Sequence, residues 1–275
     1  MKPSPSTLSN RLKSGVQPLT SLSKSLRLLL TLREATESMS LTEISRALRL
    51  NKVTALRILV TMEQYRFVEK DLQAKRYRIG CNAFYVGSGF VAGGKHEKVL
   101  QIMKNIVHGL RHTVTFSVLD GASVLFVERV DGTERVKVTV DIGSRVPAYS
   151  SAAGKALLAG LSDAEIIKRL KAVPFERFTD KTLRSIESLA ADIAKVRARG
   201  FAVNNEESTH GLVAVAVPVK NQIGQHVAAL GAAFPAGMLK SKDEQNKVAK
   251  RLAAAAEEIG SLGIRNSQEI STLAS

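Results

Sequence analysis

The chain has 275 residues, of which 44% are hydrophobic and 24% are charged, a composition that excludes a disordered or fibrous protein. A chain of this length predicts two domains. Its single cysteine, Cys81, excludes an internal disulfide and a cysteine-rich zinc site. There is no apolar run long enough to span a bilayer, and the N-terminus lacks the apolar core of a secretory signal. We therefore expect a cytoplasmic protein without a membrane partner.

The charge is distributed unevenly along the chain. The formal net charge is +15, and residues 1–80 contain 15 Lys and Arg residues against 6 Asp and Glu residues. A basic excess on a short segment is typical of a protein that binds a polyanion. Residues 1–20, which contain several prolines and serines, are expected to form a mobile tail.

Residues 21–80 predict a helix-turn-helix followed by a basic hairpin. The first helix places four leucines on one face, Leu22, Leu26, Leu29 and Leu30. Ser40 and Glu43 have the spacing of a capping box at the start of a second, short helix. A turn at 49–51 leads into a third helix, and 66–80 read as a hairpin with basic side chains. This arrangement lays the third helix in the major groove of DNA.

The third helix has two apolar stripes, and periodicity alone leaves open which one is buried. One stripe consists of Ala55, Ile58, Leu59 and Met62, and the other of Val53, Leu56 and Val60. If the first stripe is buried, the residues that face DNA are those of the opposite surface and of the hairpin: Lys52, Val53, Thr54, Leu56, Arg57, Lys75 and Arg76.

The remainder of the chain predicts a linker helix over 81–94 and an α+β domain over 95–275. The glycines of the linker weaken its helix. Two strands meet at a turn that begins with Asp120, and a strict alternation over 135–142 predicts a half-buried strand. Helices follow, then three strands, then a terminal helix from about Lys242 to Gly260.

The segment YSSAAGKALLAG, residues 149–160, has the Gly-Lys pair of a phosphate-binding loop. A tyrosine replaces the first glycine and Ala156 replaces the hydroxyl residue that would bind Mg²⁺, so a nucleotide site is excluded. Lys155 is then expected to be solvated at the start of a helix.

Nothing else in the sequence has the pattern of a catalytic or metal site. His108 and His112 would share a helix face, but no third ligand is near them in sequence. Glu206 and Glu207 are adjacent in a predicted strand and would point to opposite faces. We expect no enzyme activity and no cofactor.

Several motifs resemble one family, the IclR-type transcriptional regulators. The motifs LTEIS, KVTALRIL and YRIG are similar to the winged helix-turn-helix of that family. The motifs SAAGKALLAG and RGFAVNNEE are similar to those of its second domain. The resemblance implies a winged helix-turn-helix joined by a linker helix to a GAF-like effector-binding domain. It also implies a small-molecule effector, commonly an organic or aromatic acid.

The resemblance further implies which residues surround the effector: Arg135, Val138, Ala152, Ala153, Asn204, Leu212, Ala214, Gly231 and Ala233. Positions 214, 231 and 233 often carry hydroxyl or thiol groups in the family, whereas here they are Ala, Gly and Ala. This departure predicts a roomier and more apolar pocket, with Arg135 or Lys137 available for a carboxylate.

The prediction is a regulator whose affinity for a palindromic operator in double-stranded DNA responds to the effector. Such a protein acts as a homo-oligomer, a dimer or a tetramer, because protein symmetry matches operator symmetry. Two alternatives remain open. One is a winged-helix adaptor that senses no metabolite, and the other is a small-molecule enzyme with an accessory basic domain.

Overall fold

The computed structural model describes residues 17–92, 95–135, 137–239 and 241–264. Most of the predicted tail lies outside these ranges. The chain divides between Phe90 and Val91 into two compact units. Among the described helices, none combines the length and the apolar character that crossing a bilayer requires.

The first unit is a helix-turn-helix with a β-hairpin. Its helices are α1 (Thr20–Glu34), α2 (Leu41–Leu48), α3 (Lys52–Gln64) and α4 (Cys81–Ala92), the last of which crosses the boundary between the units at Phe90. Its strands are β1 (Met39–Ser40), β2 (Val68–Asp71) and β3 (Arg76–Ile79). The strands form an antiparallel sheet in the order β1-β3-β2. The hairpin and the three helices before it are those that the sequence predicts.

Caps explain where α2 and α3 begin. Ser40 Oγ accepts the Glu43 N–H at 3.3 Å, and Glu43 Oε2 accepts the Ser40 N–H at 2.7 Å, which is the predicted capping box. Asn51 Oδ1 accepts the Thr54 N–H at 2.7 Å. Between the helices Arg49 has a φ of 54°, the left-handed conformation that ends α2 and turns the chain.

The buried face of α1 differs from the prediction. Leu28 and Leu32 are buried in the core of the first unit and the predicted Leu29 packs against it, whereas Leu22, Leu26 and Leu30 are about half exposed. Leucines surround most of this helix, so periodicity does not define one face. The face that packs is the one directed at α2, α3 and β3.

The second unit contains a six-stranded antiparallel sheet in the order β6-β5-β4-β9-β8-β7. The strands are β4 (Val114–Asp120), β5 (Ser123–Val130), β6 (Arg145–Pro147), β7 (Ala202–Asn205), β8 (Leu212–Lys220) and β9 (His226–Pro235). The helices are α5 (His96–Leu110), α6 (Ala152–Leu158), α7 (Asp163–Leu170), α8 (Ile186–Arg199) and α9 (Lys242–Ser261). The predicted α+β class is confirmed.

Helices cover both faces of this sheet. One face packs against α5 and α9 around Phe116, Val215 and Leu230. The other face packs against α6, α7 and α8. We call this second face the floor face, because the predicted effector residues of β8 and β9 lie on it.

The predicted strand over 135–142 is wrong. The described residues of this segment, 135 and 137–142, form a loop, and only Arg145–Pro147 pairs with β5. Val138 and Val140 are nevertheless half-buried, while Lys137 and Thr139 are exposed. The alternation therefore reflects a loop lying along an apolar surface and not strand pairing.

Candidate DNA-binding surface and effector site

One surface of α3 is free of the core of the first unit. Ala55 and Leu59 are fully buried and Ile58 is nearly so, which selects the first of the two possible stripes as the core. On the opposite surface Val53 is 70% exposed and Leu56 40%, with Lys52 and Arg57 exposed beside them. Thr54 is half-buried, and its N–H is already held by the Asn51 cap.

The hairpin presents fewer free basic groups than its sequence suggests. Arg76 donates from Nε to the Ser38 carbonyl at 2.8 Å and pairs with Glu43 Oε2 at 3.1 Å. Its guanidinium therefore joins the hairpin to the start of α2. Lys75, at the turn with a φ of 53°, forms no ion pair among the described residues. Arg76 stays a predicted DNA contact, but two protein partners already hold it.

Small residues line part of the floor face. Strand pairing sets Gly231 opposite Ala216, and Ala233 opposite Ala214. Cross-strand partners share a face, so all four lie together. Ala214 and Ala233 keep partial exposure although they lie on inner strands, and so does Leu212. These three side chains are therefore not fully covered by the helices that pack on this face.

The start of α6 borders this face. Ser151 Oγ accepts the Gly154 N–H at 3.1 Å and so caps the helix, and Ala152 and Ala153 are 3% and 6% exposed. A Cβ on Gly154 would clash with the Ala148 carbonyl, which explains the glycine. The backbone of α6 therefore packs directly against the segment that contains Ala148.

Lys155 is not solvated, which corrects the expectation for the Gly-Lys pair. Its side chain is 1% exposed, and Nζ lies 2.7 Å and 2.8 Å from the two Glu207 carboxylate oxygens. Asp192 Oδ2 lies 2.8 Å from the same Nζ as an ion pair without hydrogen-bond alignment. The lysine thus joins α6 to α8 and to the segment after β7. No local signal identified these partners, because both are distant in sequence.

Asn204 is predicted to contact the effector, but its side-chain amide forms hydrogen bonds within the protein. Nδ2 donates to the Ser150 carbonyl at 2.8 Å and to Ser208 Oγ at 3.0 Å, and Oδ1 accepts the Glu207 N–H at 2.8 Å. The residue is 2% exposed. It positions the chain beside the Lys155 pair.

The predicted residues of the 135–142 segment do not lie on a strand. Arg135 is exposed in a bend, Val138 is half-buried in the loop, and Lys137 is exposed. The structure brings together Ala152, Ala153 and the floor-face residues of β8 and β9.

The prediction that Glu206 and Glu207 lie in a strand is wrong. The strand ends at Asn205, and Glu206 has a φ of 61°, so neither glutamate lies in a strand. Glu206 pairs with Lys181 at 2.5 Å, and this hydrogen bond, followed by one from the Gly211 N–H, lowers the pKa of Glu206. Glu207 instead faces Lys155.

The two histidines do not share a helix face. His108 lies in α5, but α5 ends at Leu110 and His112 follows it, packed against Phe234 with ring centroids 4.6 Å apart. Burial lowers the pKa of His112. Within the part of the chain that the structure describes, there is no cluster of three ligands for a metal ion.

Comparison with known proteins relates both units to one family. A family model described as the IclR helix-turn-helix domain matches residues 21–72, and one described as the C-terminal domain of bacterial transcriptional regulator IclR matches residues 96–261. The regulator BhcR of Paracoccus denitrificans is 31% identical over 208 residues, 75% of each chain. The transcriptional repressor IclR of Escherichia coli is 31% identical over 78% of this chain and 80% of that one.

A solved structure gives the same result. The putative transcriptional regulator from Rhodococcus sp. RHA1 is 27% identical, with a TM-score of 0.77, over 90% of this chain and 98% of that one. The order of a helix-turn-helix unit and an α+β unit agrees with these matches. The chain belongs to the IclR family of bacterial transcriptional regulators.

Proposed function

We propose that this protein is a transcriptional regulator whose affinity for its operator is changed by a small carboxylic acid bound on the floor face. The α3 helix enters the major groove of double-stranded DNA, and the second unit binds the effector. Family membership supports DNA binding, and the partly exposed inner-strand alanines support the effector site.

The DNA surface of α3 supports readout of both backbone and bases. Lys52 and Arg57 supply positive charge for phosphates, and the exposed Val53 and Leu56 suit contact with thymine methyl groups. An exposed apolar pair between two cations is unfavourable on a solvated helix face. This juxtaposition is the observation that carries the proposal.

We further propose that the protein binds DNA as a homo-oligomer. One helix-turn-helix unit covers one half-site, and two copies related by a twofold axis fit a palindrome.

Fluorescence anisotropy with DNA from upstream of the protein's own gene tests the DNA contact. We expect a steep loss of affinity as salt rises, because released counterions drive binding to phosphate. Arg57→Gln should weaken binding and lower the slope of log affinity against log salt by about 1. Lys195→Gln, an equal charge change on exposed α8, is the matched control. Affinity that is absent or independent of salt refutes the proposal.

The effector is tested separately by thermal shift with a panel of small acids, since a ligand of the folded state raises its Tm. An acid that stabilises the protein should also change its DNA affinity, and DNA should change the affinity for that acid by the same factor. If the protein binds DNA and no compound changes that binding, the result supports the alternative of a winged-helix adaptor. Turnover of a compound would instead indicate an enzyme.

A further inference from the structure

Strand β5 carries an irregularity at the edge of the floor face. Its pairing with β4 runs Thr115–Arg129 and Phe116–Glu128, and then shifts to Ser117–Phe126. Val127 is the extra residue, so this is a β-bulge. A bulge changes which side chains of a strand reach each face, and here it affects two adjacent charged residues.

The bulge turns Arg129 toward the floor face. Thr115 pairs with Arg129 on one side and with Gly231 on the other, and Gly231 pairs with Ala216. These four residues form one row across the floor face. Glu128 points the other way, where its Oε2 lies 3.3 Å from Nε2 of His96 on α5.

Protein contacts hold Arg129 without using all of its donors. Nε lies 2.9 Å from Asp131 Oδ1, Nη2 donates to Asp131 Oδ2 at 3.5 Å, and Nη1 donates to the Val140 carbonyl at 2.6 Å. A guanidinium has five N–H donors, so one on Nη1 and one on Nη2 remain. The side chain is 24% exposed, which is enough for a ligand to reach it.

Thr115 provides a second polar group in the same row. It is 6% exposed, and none of the hydrogen bonds in the described part of the chain involves its hydroxyl. Its Oγ1 lies 3.3 Å from the point where a Cβ on Gly231 would stand, so the hydroxyl packs closely against this glycine on the floor face. Directly opposed Cβ atoms are about 4.5–5.5 Å apart, so the side chains of Thr115 and Arg129 start from neighbouring positions on the floor face.

We propose that Arg129 binds the effector's carboxylate and that the Thr115 hydroxyl donates a hydrogen bond to the same carboxylate. The apolar part of the effector then lies over Ala233 and Ala214, which keep partial exposure. This assignment rests on the proposed effector function and replaces Arg135 and Lys137 as carboxylate partners. Both of those lie exposed on the loop, whereas Arg129 is held in the sheet beside the small residues.

The assignment is tested with three acids and their amides: benzoate and benzamide, hexanoate and hexanamide, lactate and lactamide. Thermal shift and titration calorimetry on the full chain give the Kd for each. At least one acid should bind, and the Kd of its amide should be at least about tenfold higher, since the amide loses a charge-assisted hydrogen bond. Arg129→Gln should weaken that acid about 10- to 100-fold and leave its amide nearly unchanged.

Two further variants separate recognition from folding. Thr115→Val keeps the shape and should weaken the acid about 3- to 10-fold while the Tm of the free protein stays the same. Arg145→Gln, which removes another exposed arginine paired with an aspartate, should have no effect on the Kd. Arg129→Lys should retain part of the preference for acid over amide.

The outcomes distinguish this assignment from the proposed function. If acids and amides bind equally, or if Arg129→Gln leaves the acid's Kd unchanged, the assignment is overturned and the effector function stands. If Arg135→Gln weakens binding of the acid and Arg129→Gln does not, the carboxylate is bound by Arg135 on the loop, and the assignment is overturned. If no acid and no amide binds, both the assignment and the effector function fail.

Discussion

Replacing Lys155 with methionine tests the buried ion pair most directly. The substitution removes one positive charge from a site where the Glu207 carboxylate is 10% exposed and loses both of its short contacts to Nζ. Removing one partner of a buried pair costs about 3–5 kcal/mol, because the other charge stays buried without compensation. For a domain of this size the corresponding fall in Tm is roughly 6–20 °C.

Far-UV circular dichroism during heating measures the effect of Lys155→Met. Combining it with Glu207→Gln removes the stranded charge, so the loss in the double variant should be smaller than the sum of the single losses by about 1 kcal/mol or more. Lys181→Met is the matched control, because Lys181 pairs with Glu206 but is 44% exposed. Its Tm should be unchanged within error.

A small effect would contradict this reasoning. If Lys155→Met lowers the Tm no more than Lys181→Met does, Lys155 is solvated or bound to something other than Glu207. If the single losses simply add, the two residues are not coupled, and the contact contributes no specific stabilisation.

Two further predictions concern Gly154 and His226. Gly154→Ala should destabilise the protein by about 1–3 kcal/mol, because the added Cβ overlaps the Ala148 carbonyl. Gly89→Ala is the control and should not destabilise the protein, because a Cβ there meets nothing within 4 Å. Thermal unfolding of the two variants measures the difference. Burial lowers the pKa of His226 below its ordinary value of 6.5, so the unfolded chain binds this proton first and stability falls as pH drops below about 6.5. His226→Gln should make the Tm less dependent on pH between about 7 and 5; an unchanged dependence assigns the effect to other groups.

The sequence predicted those features that depend on contacts within a few residues. The capping box of Ser40 and Glu43 is set by neighbouring backbone groups. The buried stripe of α3 was left open by periodicity, because the choice depends on packing against α1 and α2, which buries Ala55 and Leu59.

Features that depend on distant contacts were missed or wrong. Lys155 meets Glu207 52 residues later, and no spacing rule connects them. The alternation after Arg135 is the same for a strand and for a loop on an apolar surface. Of the predicted site, Ala152 and the small residues of the floor face lie together in the structure, and the resemblance to the family had indicated these residues. The position of Arg129 depends on a bulge that composition does not reveal.

At the proposed effector site, that bulge determines which ligand charge the floor face accepts. In regular pairing without the extra residue at Val127, Glu128 would stand beside Thr115, and Arg129 would point into the apolar core. The same strand would then offer an acceptor to amines in place of a donor to acids. A shift of one residue in pairing, without any substitution, would therefore change the class of metabolite that this surface attracts.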